Sequence, residues 1–433
     1  MRNTIWTMSS KLFVLLFICC ISAKPQKNIT EIYSGEFRYG NFATQLILEI
    51  DRNKDFWQVH FSSPEQNAYR IPAREIVIGT DSIAFVLKSD SFRYEFAGAF
   101  KQESLAMELR VDNKDFPFTL TRASAKDQNK LESQDVSFRS GDLLLYGTVY
   151  FPKKPNGKAI YLATSSGDQD RSASRAEAQF LAGSGYITFH ADKRGTGLSE
   201  GRWQNASIPE LCVDDMHAIR YLANTNNLSY SSIGIKGSSQ GASKVPYILS
   251  KMPELGFGVL VSCPASTLLE SDLNYWKNTK RNELSEDELM QAAQIQRSVF
   301  LFIAGEISKN ELKNELDSVS KESWMSHVWV PELDSVRIDK KLSYTPVPYL
   351  QQIVKPLLVI QGSSDEIIPK NSLNTIRRFT ENGNAQNHYI ELKQADHAMM
   401  FRGKSDFPYW PALHPEYRIE MLKWLDALHA SRK

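Results

Sequence analysis

The sequence predicts an α/β protein, in which a mostly parallel sheet is covered by helices on both faces and follows a separate all-β domain. From residue 134 to the C-terminus, short apolar runs alternate with helical stretches, as expected for a parallel sheet. Residues 28–125 instead contain apolar runs separated by Asp, Asn, Gly and Ser turns, with a spacing of about ten residues. A strand–turn–helix pattern at 231–250 lies at the centre of the α/β part.

The first 23 residues predict a signal peptide. Two basic residues precede an apolar run at 12–21, and small residues follow it, as at a cleavage site. The run is too short for a stable membrane span, so we expect a protein exported to the periplasm or secreted. A short membrane anchor, and a lipid attached at Cys19 or Cys20, are the alternatives.

The charge composition argues against two kinds of partner. The formal net charge is +1, from 51 basic and 50 acidic residues, and there is no long run of one sign. The sequence therefore does not favour binding to nucleic acid or to an anionic membrane surface. Cys212 and Cys263, the cysteines beyond the predicted signal peptide, are too few for a disulfide framework and are expected to pack as small apolar residues.

The chain divides into two predicted domains. Residues 28–125 are expected to form a meander or a small barrel, which serves as a packing or substrate-shaping module or, alternatively, captures an apolar ligand. A polar stretch at 126–133 is the predicted linker, and 134–433 the α/β domain. The β/α rhythm breaks at about 265–346, where amphipathic helices predict a helical cap.

The predicted elements follow from the local periodicity. Alternating apolar residues predict strands of the all-β domain at 44–50, 56–61, 82–87, 92–96, 105–110 and 116–120. In the α/β domain, a hairpin at 134–138 and 143–151 precedes buried strands at 158–163, 186–190, 233–236, 257–261, 356–361 and 388–392. Helical spacing predicts helices at 172–182, 208–223, 283–304, 309–320, 371–379 and 415–430.

The pattern G-x-S-x-G at 237–241 predicts a nucleophile elbow. Gly237 and Gly241 are needed because a Cβ atom at either position would collide with the opposing backbone. The sharp turn exposes the hydroxyl of Ser239 and directs the N–H of Gln240 to the place where an oxyanion would form. Ser239 is therefore the predicted nucleophile, although the pattern by itself would also fit a flexible Gly/Ser loop.

A serine nucleophile needs a histidine base, and the histidine needs an acid that fixes its tautomer. In an elbow enzyme these partners follow the serine in the order acid, then histidine, at the ends of later strands. Asp365 and His397 occupy such positions. Glu366 and Asp396 are rival carboxylates, and Asp396 ranks lower because neighbouring loop side chains usually point apart.

The loop at 161–171 follows an early strand and is expected to supply the second oxyanion donor. Gly167 gives this loop the freedom to turn its amides inward. An ordinary surface turn is the alternative.

These motifs resemble the α/β-hydrolase superfamily. Within it, they are similar to secreted esterases that have a serine-aminopeptidase-like (S33-type) catalytic domain and an extra N-terminal β domain, the EstD-like group. The resemblance covers residues 133–433 well and 28–125 more weakly. It rests on the elbow, the acid and histidine loops, 167–171 (the family's G-P-Q-D-R), 191–201 (its D-K-R-G-x-G-x-S-x-G) and the acidic pair at 214–215.

The chain departs from that family pattern at three places. Thr164 and Ser165 replace the usual His-Gly, which moves the implied second oxyanion donor to the N–H of Ser166 and suggests a narrower acyl pocket. Ser238 stands where the elbow commonly carries histidine, and Asp168 replaces proline. None of the three departures removes a triad residue. In this family the turn containing Asp192 and Arg194 is mainly structural.

The residues and the resemblance together predict a secreted serine hydrolase that cleaves carboxylic esters, of short acyl chains, through an acyl-enzyme. The predicted partner is a small ester, and neither a cofactor nor a metal is expected. A serine peptidase or aminopeptidase with the same triad is one alternative. Such an enzyme needs an acidic anchor for the substrate amine, and the helical spacing of Glu283, Glu286 and Glu288 in the cap fits a solvated face instead. A non-catalytic ligand-binding protein on a hydrolase scaffold is the other.

Overall fold

The computed structural model describes residues 29–53, 56–88, 92–123 and 131–430. The predicted signal peptide at 1–23, with Cys19 and Cys20, lies outside the described residues, as does 126–130 of the predicted linker. Within the described residues, no helix has both the length and the apolar character needed to cross a membrane.

The N-terminal part forms one nine-stranded antiparallel sheet. Its strands are β1 Ile29–Tyr39, β2 Phe42–Asn53, β3 Phe56–Ser63, β4 Ala68–Pro72, β5 Arg74–Ile78, β6 Ser82–Lys88, β7 Arg93–Lys101, β8 Ser104–Val111 and β9 Lys114–Arg122. Their order is β4-β3-β2-β1-β9-β8-β7-β6-β5. Because β4 pairs with β3 and β5 pairs with β6, the bent segment at 68–78 joins the two ends of the sheet. At the bend, the N–H of Ala73 donates to the carbonyl of Val59 at 2.8 Å.

The strands predicted from periodicity do not include β1, β4 and β5, and the physical reason is clearest for β4 and β5. Both strands are short, and neither has the burial pattern of a core strand: only intermediate and exposed residues occur along them. Their pairing is irregular, with register shifts on both sides. Strands of this kind depend on the neighbours that they join, so the local pattern carries little signal.

The interior of this sheet is filled by aromatic and aliphatic side chains. Leu46, Leu48 and Ile50 alternate along β2 and are at most 2% exposed. Phe407 and Trp410, which come from the far C-terminal part of the chain, belong to the same core and are 0% and 5% exposed. The core of the all-β domain therefore includes side chains from the C-terminal part of the chain.

The second sheet has eight strands in the order β10-β11-β13-β12-β14-β15-β16-β17. They are β10 Glu132–Ser140, β11 Leu143–Phe151, β12 Ala159–Leu162, β13 Ile187–Ala191, β14 Ile233–Ser238, β15 Phe257–Val261, β16 Leu357–Gly362 and β17 His388–Leu392. The first two strands form an antiparallel hairpin, β11 pairs antiparallel with β13, and the rest are parallel. The predicted mostly parallel sheet is confirmed.

Nine α-helices are described in this part of the chain: α1 Arg175–Gly183, α2 Ile208–Thr225, α3 Gln240–Lys251, α4 Leu268–Lys280, α5 Glu286–Ala304, α6 Lys309–Ser318, α7 Val347–Leu350, α8 Ser372–Thr380 and α9 Pro415–Ala430. Two hydrophobic clusters cover the sheet, one including α2, α3 and α8, the other including α9. Helices α4 to α6 lie between β15 and β16 and have a core of their own, which includes Trp276, Val299 and Trp324.

Two helix starts differ from the periodicity. A helix was predicted from residue 172, but α1 begins at Arg175, after a 3-10 turn. Asp170 caps that turn by accepting from the N–H of Ser172 at 2.8 Å, which favours the tighter geometry. Helix α5 begins at Glu286 rather than at 283, because Ser285 and Glu288 form a capping box there.

Candidate active site

The elbow at the end of β14 has the sharp geometry that its sequence predicts. Ser239 lies between β14 and α3 with φ 55° and ψ −125°, a conformation that non-glycine residues rarely adopt. Its N–H donates to the carbonyl of Val261 in β15 at 3.0 Å, which holds the turn against the neighbouring strand. A Cβ atom on Gly237 would lie 2.3 Å from the backbone of Gly241, so only glycine fits.

Asp365 and His397 lie together at the ends of adjacent strands. Asp365 follows β16, His397 follows β17, and Nδ1 of His397 is 3.0 and 2.9 Å from the two carboxylate oxygens. Asp365 is 2% exposed and also accepts from the N–H groups of Ile367 and Ile368, at 2.9 and 3.2 Å. Donation of the Nδ1 proton to this fixed carboxylate leaves Nε2 of His397 as a proton acceptor.

The rival carboxylate Asp396 has other partners. One of its oxygens accepts from the N–H groups of Ala398 and Met400, at 2.9 and 2.8 Å, and the other accepts from Arg402 Nε at 2.8 Å. These bonds stabilise the turn of the histidine loop. Glu366, the second rival, lies exposed at the protein surface.

Two groups that the sequence analysis missed support the same loops. The hydroxyl of Ser262, after β15, donates to the carbonyl of His397 at 2.8 Å. Asn274 of α4 donates to the carbonyls of Ile367 and Ile368, at 3.0 and 3.2 Å. The helical segment after β15 is therefore bonded directly to the loop that carries Asp365. No sequence pattern marks either contact, because each joins residues about 90 or more positions apart.

The loop after β12 lies beside the elbow, and side chains from three directions hold it. The Ser165 hydroxyl donates to the carbonyl of Ser238 at 3.0 Å. Lys244 of α3 donates to the Thr164 hydroxyl at 2.6 Å. Lys193, from the turn after β13, donates to the carbonyls of Ser165, at 2.8 Å, and Gly167. Thr164 and Ser165 thus both make specific side-chain hydrogen bonds.

The charged residues of the 192–194 turn and of helix α2 have separate sets of partners. Arg194 pairs with Asp214 at 2.6 Å, while Asp192 accepts from the N–H groups of Arg171 and Leu198 at 3.0 Å each. Lys244 pairs with Asp215 at 2.6 Å. Of the two acids of α2, Asp214 therefore stabilises the turn, and Asp215 neutralises Lys244 on the helix that follows Ser239.

The ion pair between Lys244 and Asp215 is buried. Lys244 and Asp215 are 0% and 1% exposed, and the Tyr161 hydroxyl donates to Asp215 at 2.7 Å. Burial raises the pKa of Asp215, although Lys244 and the Tyr161 hydrogen bond oppose the shift. Burial, followed by the nearby Lys244 charge, lowers the pKa of Lys193 to about 8.

A cavity of about 630 Å³ opens above the elbow. Its lining includes every predicted site residue except Asp365, namely Ser239, Gln240, Ser166 and His397. Gln240 is the first residue of α3, so its N–H has no acceptor within the helix. The structure thus brings the predicted nucleophile, base and both predicted donors to one space.

The acids of that cavity are not the ones considered from the sequence. Glu283 pairs instead with Lys280 at 2.8 Å, and Glu288 forms the capping box of α5. The acidic residues that line the cavity are Asp170, Glu177, Asp272 of α4 and Asp339, from the connection before β16. Their distance along the chain explains why no local pattern revealed them. Glu177 pairs with Lys236, and Asp339 pairs with Lys341 at 2.7 Å.

Fold and site together define an α/β-hydrolase. Residues 140–399, more than half of the chain, match the X-Pro dipeptidyl-peptidase family (S15), and the chain belongs to that family. A search of curated proteins finds no match. The sequence motifs pointed to the same superfamily; the narrower likeness to S33-type, EstD-like esterases stays a prediction.

Several solved structures have a similar fold. An esterase from Pyrococcus furiosus is 18% identical, with 70% of this chain and 94% of that chain covered and a TM-score of 0.47. An α/β hydrolase from Penicillium sp. sh18 is 16% identical over 69% and 98% of the two chains, with a TM-score of 0.44. The 2-hydroxy-6-oxo-6-phenylhexa-2,4-dienoate hydrolase from Rhodococcus sp. strain RHA1 is 15% identical over 70% and 100%, with a TM-score of 0.42.

Proposed function

We propose that this hydrolase cleaves carboxylic esters of short acyl chains by nucleophilic catalysis at Ser239. The observation that carries the proposal is the bond from His397 to the buried Asp365, on a loop that faces the same cavity as the strained Ser239. An imidazole held in this way can accept the serine proton through Nε2.

The proposed reaction uses only side chains and amides of the chain. Ser239 Oγ attacks the ester carbonyl, and His397 takes its proton and gives it to the leaving alcohol. The N–H groups of Gln240 and Ser166 stabilise the negative charge on the former carbonyl oxygen. Water then repeats the sequence on the acyl-enzyme and releases the acid.

Ester hydrolysis is the first choice on chemical grounds. An alkoxide leaves a tetrahedral intermediate more easily than an amine does, so a triad that cleaves amides also cleaves activated esters, whereas the converse does not hold. The second candidate is removal of an X-Pro dipeptide, which the family's name suggests. The carboxylate of Asp272 in the cavity favours this candidate, since a dipeptidyl peptidase must neutralise the amino terminus of its substrate, whereas Asp339 already pairs with Lys341 at 2.7 Å.

Parallel assays on p-nitrophenyl esters of increasing chain length and on X-Pro p-nitroanilides test the proposal. We expect turnover of p-nitrophenyl acetate, falling with longer chains, and a loss of several orders of magnitude in Ser239→Ala. Ser238→Ala, one residue earlier, is the matched control for loss of a hydroxyl at the elbow. Ester turnover that survives in Ser239→Ala would place the nucleophile elsewhere, and a higher kcat/KM on the nitroanilides would favour the peptidase.

A further inference from the structure

Within the loop after β12, Ser166 and Gly167 have little around them that fixes their conformation. Ser166 and Gly167 are exposed, and Gly167 has φ 70° with no atom within 4 Å of the position that a Cβ would take. The loop follows β12 without entering a helix directly. An amide on such a loop can only be directed at an oxyanion if groups outside the loop hold it.

Lys193 provides that restraint at the peptide unit between Ser165 and Ser166. Its ammonium donates to the carbonyl of Ser165, and this carbonyl belongs to the same peptide plane as the N–H of Ser166. In a trans peptide the C=O and N–H bonds point in opposite directions. Ser165 and Ser166 line the cavity, whereas Lys193 is outside its lining. Because the Ser165 carbonyl is held toward Lys193, the N–H of Ser166 is turned away from Lys193 and toward the cavity.

The position of Lys193 is itself well determined. The side chain is 3% exposed, its ammonium lies 4.6 Å from the ring centroid of Trp203, and its second acceptor is the carbonyl of Gly167. One ammonium thus bonds to the carbonyls on both sides of Ser166. A cation on the Ser165 carbonyl also polarises that peptide unit, which strengthens its N–H as a donor.

We propose that Lys193 is a positioning residue of the oxyanion hole: it orients and polarises the Ser165–Ser166 peptide so that the Ser166 N–H stabilises the tetrahedral intermediate. The proposal rests on the proposed function at Ser239. Lys193 does not touch the reacting atoms. It acts through the peptide that it holds, and Lys244 supports the same loop through Thr164.

The test uses p-nitrophenyl acetate as the substrate probe and a trifluoromethyl ketone as a mimic of the oxyanion. Lys193→Met removes the donors but keeps much of the side-chain length. We expect kcat to fall on the order of 10- to 100-fold with KM nearly unchanged, since the lost interaction forms in the transition state. Affinity for the ketone should fall by a similar factor, and Lys193→Arg, which keeps charge and donors, should restore most of both.

Arg194→Met is the matched control. Arg194 is the next residue on the same turn and half of a partly buried ion pair with Asp214, but it makes no bond to the 163–167 loop. This variant should lose stability while the folded protein keeps its kcat. If Lys193→Met does not fold, Lys193→Gln, which is neutral and too short to reach both carbonyls, serves in its place.

The outcomes separate the two proposals. Wild-type kcat and ketone affinity in a folded Lys193→Met or Lys193→Gln protein would overturn the role of Lys193, while loss of turnover in Ser239→Ala would leave the proposed function intact. Ester turnover that survives in Ser239→Ala would instead overturn the proposed function. A fall in kcat in Arg194→Met equal to that in Lys193→Met would also contradict the role, because it would assign the effect to the turn as a whole.

Discussion

At the residue scale, the site depends on carboxylates whose partners are fixed by hydrogen bonds. Asp365 is near His397 in the fold and Asp396 is its neighbour in the chain. Only Asp365 bonds to the imidazole of His397. Asp396 is occupied by Arg402 and by the N–H groups of its own loop. The two residues therefore offer a matched pair for testing which carboxylate orients the base.

We expect Asp365→Asn to lower kcat by roughly 10³- to 10⁴-fold, because the amide no longer favours the required imidazole tautomer. Asp396→Asn should keep kcat within about tenfold, since its amide oxygen can still accept from the loop N–H groups. Steady-state kinetics on p-nitrophenyl acetate measures both. A larger loss in Asp396→Asn than in Asp365→Asn would reverse the assignment.

At the element scale, the connection from the histidine loop to α9 packs into the all-β domain. Phe407 packs 4.9 Å from the ring of Phe37, and Trp410 packs 5.3 Å from the same ring. The Tyr94 hydroxyl donates to the carbonyl of Tyr409 at 2.6 Å. The all-β domain therefore has a core that is completed only by residues from the other end of the chain.

Phe407→Ala should destabilise the protein by about 3–5 kcal/mol, the usual range for removing a buried aromatic ring. Denaturant unfolding, followed by fluorescence, measures the free energy of unfolding. Phe56→Ala, in the same domain but at a ring that is 54% exposed, is the control and should change stability by less than about 0.5 kcal/mol. Equal effects of the two substitutions would show that the Phe407 ring is not part of a shared core.

At the scale of the whole molecule, stability depends on pH through a buried histidine. His190 in β13 is 0% exposed, with Nδ1 3.0 Å from the Ser174 hydroxyl and no partner at Nε2 among the described residues. Burial, followed by the charge of Arg175, lowers the pKa of His190 from 6.5 to about 3. The native protein therefore keeps this ring neutral at pH values where the unfolded chain binds a proton.

The sign of the effect follows from that difference. Between pH 6.5 and about 3 the unfolded chain holds one more proton at His190, so stability falls as the pH falls through this range, by up to about 1.4 kcal/mol per pH unit. In His190→Asn this contribution is absent. Urea unfolding at several pH values should give a slope shallower by about one proton in the variant. Identical slopes in the two proteins would mean that His190 is protonated in the native state.

The sequence by itself determined the order of the elements and the chemistry at the strand ends. Continuous apolar runs are confirmed as β15 and as residues 357–360 of β16, because strands that are buried on both faces need apolar residues at successive positions. The glycines at 237 and 241 locate the turn: a Cβ atom on Gly237 would lie 2.3 Å from the backbone of Gly241, and one on Gly241 would lie 3.1 Å from the carbonyl oxygen of Ala163. These features are local, and a few neighbouring residues are enough to encode them.

Only the tertiary structure decided which distant groups meet. Phe407 and Trp410 enter a core formed some 300 residues earlier, and Lys193, after β13, bonds to the carbonyl of Ser165, after the neighbouring strand β12. The bond that Ser262 makes to His397 is equally invisible along the chain. Such contacts depend on strand order and on how loops lie at one edge of the sheet. Periodicity cannot specify them, because it records only which face of an element is buried.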